Sequence, residues 1–179
     1  WSLERINPGL VCLGSENWQS CPDNIGGTPG LPNAALSTAP DAMAPHLLQV
    51  IIESTTSLLV SFSEGIDKNT AQDPTAYNIS PARNIATAQQ LPNNLAQVRL
   101  TLSDPLQLST VYALSGKASL TDCSGNALSV SDTVFFGVAE APTQHDVIIN
   151  EIMAKPAPSA GLPPVEWLEL LNRSSKIID

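Results

Sequence analysis

Residues 96–103 read Ala-Gln-Val-Arg-Leu-Thr-Leu-Ser, so that Val98, Leu100 and Leu102 alternate with polar side chains. Successive side chains of a β-strand point to opposite faces of a sheet, and this period of two therefore predicts a strand with one buried and one solvated face. Residues 58–62 (Leu-Leu-Val-Ser-Phe) repeat the alternation and predict a second strand of the same kind.

The block around these two stretches, from about residue 45 to 139, reads as seven short strands. They are predicted at 46–53, 56–63, 76–80, 84–90, 96–103, 110–116 and 131–138. Turn-forming pairs such as Asp73-Pro74 and Asp104-Pro105 separate them. Seven short strands with turn signals between them predict an all-β chain with an immunoglobulin-like β-sandwich. The expected core includes Leu58, Val60, Phe62, Val98, Leu100, Tyr112, Leu114, Val134 and Phe136.

The composition agrees with an all-β chain. Charged residues make up 14% of the sequence, and 15 of the 179 residues are proline. Average soluble domains have about 25% charged residues and ~5% proline. Long helices are disfavoured because few Lys, Glu and Arg side chains are present to solvate their outer faces.

The charge pattern argues against nucleic acid and membranes as partners. The net charge is −9, and the eight Lys and Arg residues are scattered along the chain, so the sequence has no basic patch for a phosphate backbone or an anionic lipid surface. No apolar run approaches the ~18 residues of a membrane span, and no signal peptide is evident. We therefore expect a segment of a longer secreted or cell-surface protein without membrane insertion.

Three blocks differ in composition and predict domains at 1–42, 43–140 and 141–179. The first is dense in Pro, Gly and Asn, with one strand-like stretch at 1–6. The third has predicted strands at 147–153 and 165–172, joined by a Pro-rich loop at 155–164. The sequence stops in a strand-like stretch at 177–179, from which we expect an incomplete third domain.

The two ends of the chain resemble bacterial lamin-tail domains, which occur in secreted proteins of Bacteroidetes. Residues 1–8 (Trp-Ser-Leu-Glu-Arg-Ile-Asn-Pro) and 26–33 (Gly-Gly-Thr-Pro-Gly-Leu-Pro-Asn) are similar to the C-terminal end of that domain, which we assign to 1–37. Residues 146–153 (Asp-Val-Ile-Ile-Asn-Glu-Ile-Met) and 166–174 resemble its N-terminal end, assigned to 146–179. The resemblance implies that Trp1, Trp18 and Trp167 belong to lamin-tail cores.

The middle block resembles the bacterial Ig-like domains of surface-layer proteins. The matching residues are 59–64 (Leu-Val-Ser-Phe-Ser-Glu), 76–79 (Ala-Tyr-Asn-Ile) and 121–126 (Thr-Asp-Cys-Ser-Gly-Asn). The end of one lamin-tail domain thus comes first and the start of another comes last, which predicts a window on a tandem array. Because each flank would expose tryptophans and strand edges, we expect the flanks to pair, within one chain or as a dimer.

We expect no catalytic residue and no enzyme activity. His46 and His145 each begin a predicted strand beside a linker, where a solvated loop histidine is the simpler interpretation. Glu151 and Glu169 could meet across adjacent strands, with capping of loop amides as the expected role. The sequence contains no Gly-x-Ser-x-Gly elbow and no phosphate-binding loop.

Calcium is the one cofactor that the sequence suggests. Oxygen donors cluster in turns at Glu64 and Asp67 and again at Asp122 and Asn126, and Ca²⁺ prefers such ligands. No EF-hand spacing is present, and Asp and Asn in turns also bond to their own backbone. Both interpretations stay open.

The three cysteines allow one disulfide bond within the chain. Cys12 and Cys21 lie nine positions apart in a turn-rich segment, and we favour a bridge between them. The alternative joins Cys12 or Cys21 to Cys123 and would attach the first block to the Ig-like block.

The sequence therefore predicts a non-catalytic structural or adhesion module of a secreted or cell-surface protein, acting as a spacer and as a protein–protein interaction unit. The alternative is a carbohydrate- or calcium-binding accessory module of an extracellular hydrolase. A sugar-binding surface would need exposed aromatic side chains, whereas Phe62, Tyr77, Tyr112, Phe135 and Phe136 all fall at expected core positions.

Overall fold

The computed structural model describes residues 1–10, 12–155 and 165–178. Within them the chain forms eleven β-strands and one short α-helix, α1 (Lys68–Ala71). The strands are β1 (Leu3–Arg5), β2 (Trp18–Ser20), β3 (Leu47–Ser54), β4 (Ser57–Phe62), β5 (Tyr77–Ser80), β6 (Ile85–Leu91), β7 (Asn94–Leu102), β8 (Tyr112–Gly116), β9 (Thr133–Phe136), β10 (Val147–Met153) and β11 (Trp167–Asn172). The seven strands predicted for the middle block are confirmed as β3 to β9.

Strands β3 to β9 form the two sheets of an Ig-like β-sandwich. One sheet has the order β3-β4-β7-β6 and the other the order β5-β8-β9, with all neighbours antiparallel. Leu58 of β4 faces Leu100 of β7, and Val60 faces Val98; each of these four side chains is 0% exposed. The predicted all-β Ig-like fold is therefore confirmed, because the alternation along β4 and β7 places every second side chain in the core.

The three-stranded sheet supplies the aromatic part of this core. The rings of Tyr112 and Phe136 stack with their centroids 5.6 Å apart, a geometry that aromatic pairs favour. Tyr77 is buried, and its hydroxyl donates to the Ala71 carbonyl oxygen at 2.7 Å. Burial raises the pKa of the Tyr77 phenol above its usual range, so this hydroxyl acts as a neutral hydrogen-bond donor.

Two predicted core positions are wrong. Phe135 is 72% exposed, because it points away from the core between the inward positions of β9. Val134 is half-buried rather than fully buried. The edge position of β9 in its sheet explains the partial exposure of Val134, since an edge strand is covered on fewer sides than a central one.

The first block forms a small two-stranded sheet of its own. β1 and β2 pair antiparallel, with Leu3 opposite Ser20 and Arg5 opposite Trp18. Glu4 is buried on one face, where its carboxylate accepts hydrogen bonds from the Ala35 amide at 3.0 Å and from the Thr28 hydroxyl. The hydrogen bond from Thr28 is the main reason why the pKa of Glu4 lies below its ordinary value.

The opposite face of this sheet is exposed. Trp1 is 84% exposed and Trp18 is 44% exposed, so the expectation that both belong to a core is wrong for this structure. Arg5 lies over the Trp18 ring at 5.1 Å from its centroid, a cation–π contact that covers only part of the indole.

The loop between β1 and β2 is organised by a buried amide. The Asn17 side chain donates to the carbonyl oxygens of Asn7 and Leu10 at 2.8 and 2.9 Å, and its Oδ1 accepts from the Asn7 amide at 2.7 Å. Three hydrogen bonds satisfy the buried amide group. Turn-rich sequence thus becomes ordered structure here without an apolar core.

The chain divides into two compact units, one formed by 1–106 and 112–136 and the other by 107–111 and 137–179. The predicted domain boundaries at 42/43 and 140/141 stay predictions. In the second unit β10 pairs antiparallel with β11, and a bulge lies between Ile149 and Glu151. Lys176 bonds to Asp146 with Nζ 2.8 Å from Oδ2, and the Glu140 amide donates to the Ile177 carbonyl at 2.7 Å.

Some predictions for the third block fall outside the described residues. These are the greater part of the Pro-rich loop at 155–164 and the last residue of the strand expected at 177–179. Ile177 and Ile178 have no regular secondary structure, so a strand is not formed there.

Candidate functional site

Three carboxylates converge beside the loop that follows β4. Asp41, Glu64 and Asp122 each contribute an oxygen atom, and these atoms lie within 4.8 Å of one another. Glu64 is 7% exposed, Asp122 is 3% exposed, and Asp41 is half-buried. They line a cavity of about 60 Å³ together with Cys12, Leu13 and Gly65 among others.

Asp122 is fixed by the turn that follows it. Its Oδ1 accepts from the backbone amides of Ser124 and Asn126, each at 2.8 Å, and its Oδ2 accepts from the Asn126 side-chain amide at 2.8 Å. Gly125 has a φ of +92°, a left-handed conformation that glycine adopts without steric cost. The turn therefore holds a buried carboxylate in one orientation.

Asp41 reaches the cluster from the first block. The Asn126 side chain donates to the Asp41 carbonyl oxygen at 3.3 Å, and the Ser124 hydroxyl donates to Oδ2 of Asp41 at 3.4 Å. No single-sequence signal connects position 41 with positions 64 and 122, because only the fold brings these distant segments together. Asp41 is therefore not among the residues that the sequence predicts as ligands.

The structure brings together two of the four predicted calcium ligands. Glu64 and Asp122 belong to the cluster, and Asn126 bonds to Asp122 beside it. Asp67 has a different role, because it caps helix α1 and accepts from the Asn69 and Thr70 amides at 2.9 and 3.2 Å. Caps of this kind satisfy the free amides of a helix N-terminus.

What the cluster can do chemically follows from its donor set. Three oxygen donors, two of them buried, match the ligands that Ca²⁺ takes, although calcium sites use six to eight oxygens in all. The carbonyl oxygen of Asp41 and the amide oxygen of Asn126 are nearby donors of the same type. Without a cation between them, close carboxylates repel one another, because one negative charge raises the free energy needed to ionise a neighbouring carboxyl group.

The predicted bridge between Cys12 and Cys21 is wrong. Cys12 forms a disulfide bond with Cys123, with their Cα atoms 5.9 Å apart, which is the alternative that attaches the first block to the Ig-like block. Cys21 instead turns into the small β1–β2 sheet, where it is 3% exposed and unbonded to another cysteine. Burial raises the pKa of the Cys21 thiol.

A glycine makes the approach of Cys12 possible. A Cβ atom at Gly65 would lie 2.5 Å from the carbonyl oxygen of Cys12, closer than two such atoms can come. The absence of a side chain at Gly65 therefore lets the segment around Cys12 pack directly against the end of β4.

The two histidines lie on the surface. His46 Nδ1 is 3.0 Å from Asp132 Oδ2, and the His46 side chain is 56% exposed. The nearby Ser63 hydroxyl accepts from the His46 backbone amide at 2.9 Å and so is engaged with the main chain. His145 is exposed and has a φ of 71°.

The predicted meeting of Glu151 and Glu169 is confirmed. They are direct partners in the register of β10 and β11. Glu169 accepts a hydrogen bond from the Asn150 side chain, the residue at the bulge. Both carboxylates are exposed, so the pair lies on an open sheet surface rather than in a cavity.

Comparison with known protein families assigns the β-sandwich to a family. Residues 34–138, more than half of the chain, match the family described as the bacterial Ig-like domain. The chain belongs to the bacterial Ig-like domain family. All three carboxylates of the cluster lie within the matched residues, whereas the disulfide bond joins Cys123 of the bacterial Ig-like domain to Cys12 of the segment that precedes it.

Among solved structures, parts of surface-layer proteins are similar to this chain. The N-terminal part of the bacterial S-layer protein SbsC is 23% identical, with a TM-score of 0.50, over 62% of this chain and 27% of that chain. Domains 1–6 of the surface-layer protein SbsC give a TM-score of 0.49 and 23% identity, over 62% of this chain and 16% of that chain. This chain therefore spans about a quarter or less of those structures. A search of curated proteins found no significant match.

Among the residues that the structure describes, no helix has the length and apolar character needed to cross a membrane.

Proposed function

We propose that this chain is a non-catalytic structural module of a secreted or cell-surface protein, in which the bacterial Ig-like domain is a spacer. The observation that carries the proposal is the core between its two sheets, where Leu58, Val60, Val98, Leu100, Tyr112 and Leu114 are all 0% exposed. Such a core gives a rigid body, and a spacer needs rigidity rather than a reaction centre.

The flanks extend this proposal to the neighbouring modules. Residues 1–37 and 146–179 resemble the two ends of lamin-tail domains, and each flank contains a two-stranded antiparallel sheet. The spacer then holds lamin-tail modules apart along an array at the cell surface.

Module exchange in the full-length protein tests the spacer function. Residues 43–140 are replaced by an unrelated Ig-like domain of similar length, or are deleted, and protease accessibility of the adjoining modules is measured on intact cells. We expect the replacement to keep the accessibility and the deletion to reduce it, because a spacer contributes length and stiffness. Loss of accessibility in the replacement would show that the specific surface matters and would overturn the proposal.

Calcium binding by Asp41, Glu64 and Asp122 is a second proposed property. It is favoured by the convergence of three carboxylate oxygens, two of them on buried residues. A ligand that binds only the folded state stabilises it, by about 2.7 kcal/mol when its concentration is 100 times Kd. We expect Ca²⁺ at millimolar concentration to raise Tm.

The matched variants for this test are Glu64→Gln in the cluster and Asp104→Asn in an exposed turn. Glu64→Gln should abolish the response of Tm to Ca²⁺, whereas Asp104→Asn should keep it. A wild-type Tm that is the same in Ca²⁺ and in chelator contradicts calcium binding and leaves the spacer function untouched.

Pairing of flanks between copies of the chain is the proposed protein–protein contact. On β10 and β11 the side chains of Ile149, Ile152, Leu168 and Leu170 share one face, and each is more than half exposed. On β1 and β2 the exposed face carries Leu3, 67% exposed, and Trp18. Two apolar sheet faces pack stably against each other.

The area of these two faces sets the expected strength of their association. From strand spacing and rise, the β10–β11 face covers roughly 200 Å² and the β1–β2 face, with three residues in each strand, roughly 100 Å². Both areas are well below the ~800 Å² per partner of a stable complex. We therefore expect weak association that appears at high local concentration, as in an array.

Complementary variants test which faces meet. Leu3→Asp blocks the first face and Leu168→Asp blocks the second, and sedimentation is measured for each variant alone and for their mixture. We expect each variant alone to be monomeric and the mixture to form one-to-one dimers. Self-association of the Leu3→Asp variant alone would show that the β10–β11 face pairs with itself and would overturn the proposed pairing.

A further inference from the structure

The disulfide bond determines which parts of the chain bear a pulling force. Cys12 and Cys123 are 111 positions apart in sequence, but their Cα atoms are 5.9 Å apart. Fully extended, that much chain would span roughly 370–400 Å, at 3.3–3.6 Å per residue. The bond therefore replaces a very long segment by a single covalent step.

The bond divides the strands into two sets. The seven strands β2 to β8 lie between Cys12 and Cys123, whereas β1 precedes Cys12 and β9, β10 and β11 follow Cys123. The closed loop thus contains the whole four-stranded sheet and two strands of the three-stranded sheet.

We propose that the Cys12–Cys123 bond is a mechanical bypass, which carries tension past the bacterial Ig-like domain so that six of its seven strands cannot be extended. Force applied at the two ends passes along residues 1–12, across the sulfur atoms and out along the chain after Cys123. The closed loop is off this path whether or not its hydrogen bonds break. The use of such a bypass rests on the proposed spacer function, but the path itself can be measured independently.

Four strands are left on the path, β1, β9, β10 and β11, of which β1 and β9 are the shortest. β1 has three residues and pairs with β2, and β9 has four residues and pairs with β8. These two strands should detach first under load. The spacer would then lengthen by a limited amount while its core stays intact inside the closed loop.

The bond is also within reach of a reductant. Cys123 is exposed and Cys12 is half-buried. A dithiol gives two electrons and two protons to the disulfide, which becomes two thiols, and the dithiol closes to a cyclic disulfide. Reduction would return the closed loop to the force path and convert a short extension into a long one.

Pulling single molecules by handles at residues 1 and 179 tests the bypass. In the oxidised chain we expect extension of only the residues outside the closed loop. After addition of dithiothreitol to the same preparation, the final contour length should increase by roughly 370–400 Å. An oxidised chain that already reaches the full length, or a length that dithiothreitol does not change, would overturn the proposal.

Two variants separate the bond from other thiol chemistry. Cys21→Ser removes the buried free thiol and should behave as the wild type, whereas Cys12→Ser/Cys123→Ser should show the long extension without reductant. If the double variant does not fold, the reduction of folded wild-type protein still decides the question. Alkylation in guanidinium without reductant should label one cysteine per chain, and labelling of all three would contradict the bond itself.

Failure of the proposed bypass can be distinguished from failure of the proposed spacer function. The bypass concerns only the contour length of the isolated chain, and the spacer function is measured by module exchange on cells. A chain without a bypass can still serve as a spacer, and a chain with one need not.

Discussion

Strands β7 and β11 have similar sequences and opposite surroundings. β7 places Val98, Leu100 and Leu102 at every second position, and these side chains are 0%, 0% and 4% exposed. β11 reads Trp-Leu-Glu-Leu-Leu-Asn, and its Leu168 and Leu170 are 52% and 59% exposed. Both strands are paired with antiparallel neighbours. The two strands differ in their surroundings because the second sheet of the sandwich covers the apolar face of β7.

The comparison shows that an apolar alternation predicts a strand but does not by itself predict a core. Burial stabilises only when another apolar surface excludes water. The exposed leucines of β11 thus contribute little to stability in the single chain, whereas those of β7 contribute roughly 1.5–3 kcal/mol each.

Truncation of one side chain in each region tests this comparison most directly. Phe62→Ala removes a 3%-exposed ring and should lower the free energy of unfolding by about 3–5 kcal/mol, because a cavity remains. Ile152→Ala removes a 62%-exposed side chain and should change it by less than about 0.5 kcal/mol. Urea denaturation of both variants measures the two effects.

Equal losses in the two variants would contradict the assignment of the core to the sandwich. An unchanged free energy of unfolding for Phe62→Ala alone would remove that ring from the core.

Removal of the disulfide bond should have the next largest effect, and only in the first unit. A cross-link restricts the unfolded chain, and native disulfides typically contribute about 2–4 kcal/mol. Cys12→Ser/Cys123→Ser should therefore lower Tm and increase hydrogen exchange in β3 to β8, with Cys21→Ser as the control. Increased exchange confined to β10 and β11 would contradict this expectation.

The smallest predicted effect concerns acid in the second unit. The hydrogen bond from Lys176, followed by that from the Thr143 amide, lowers the pKa of Asp146 to about 2 from its ordinary 3.8. Because the pKa is lowered by folding, the resulting stabilisation is complete above about pH 4 and is lost as the pH falls through about 2. Both side chains are half-buried at the surface, where partial solvent screening keeps the energy small.

An NMR titration of the Asp146 carboxyl group checks this prediction. Lys176→Met should raise its pKa toward the ordinary value, and the core resonances of Phe62 should not respond. A wild-type titration midpoint near pH 4 would mean that the Lys176–Asp146 contact does not persist in solution.

The sandwich could be predicted from the sequence because its signals are local. Alternation in β4 and β7 and turn formers between strands need no knowledge of distant residues. Helix α1 was missed because four residues are too few to show a helical period. Phe135 is exposed because Val134 and Phe136 point inward, and the alternation along β9 turns the side chain between them to the opposite face.

Only part of the candidate site could be predicted from the sequence, because the rest depends on the topology of the fold. Glu64 and Asp122 stand in turns with recognisable chemistry, whereas Asp41 joins them only through the fold. The bridge Cys12–Cys21 was favoured because short separations close easily, but folding brings Cys123 to Cys12 and turns Cys21 into another sheet. Sequence distance is a poor guide to contact once a two-layer fold has formed.

The missing side chain at Gly65 has an evolutionary consequence. Any other residue there would push its first carbon into the main chain of Cys12, so the bond from Cys12 to Cys123 and the glycine form one inherited unit. We expect relatives without the two cysteines to accept bulkier residues at that position, and relatives with both cysteines to keep glycine there. Covariation of these three positions in a set of homologous sequences would record that dependence.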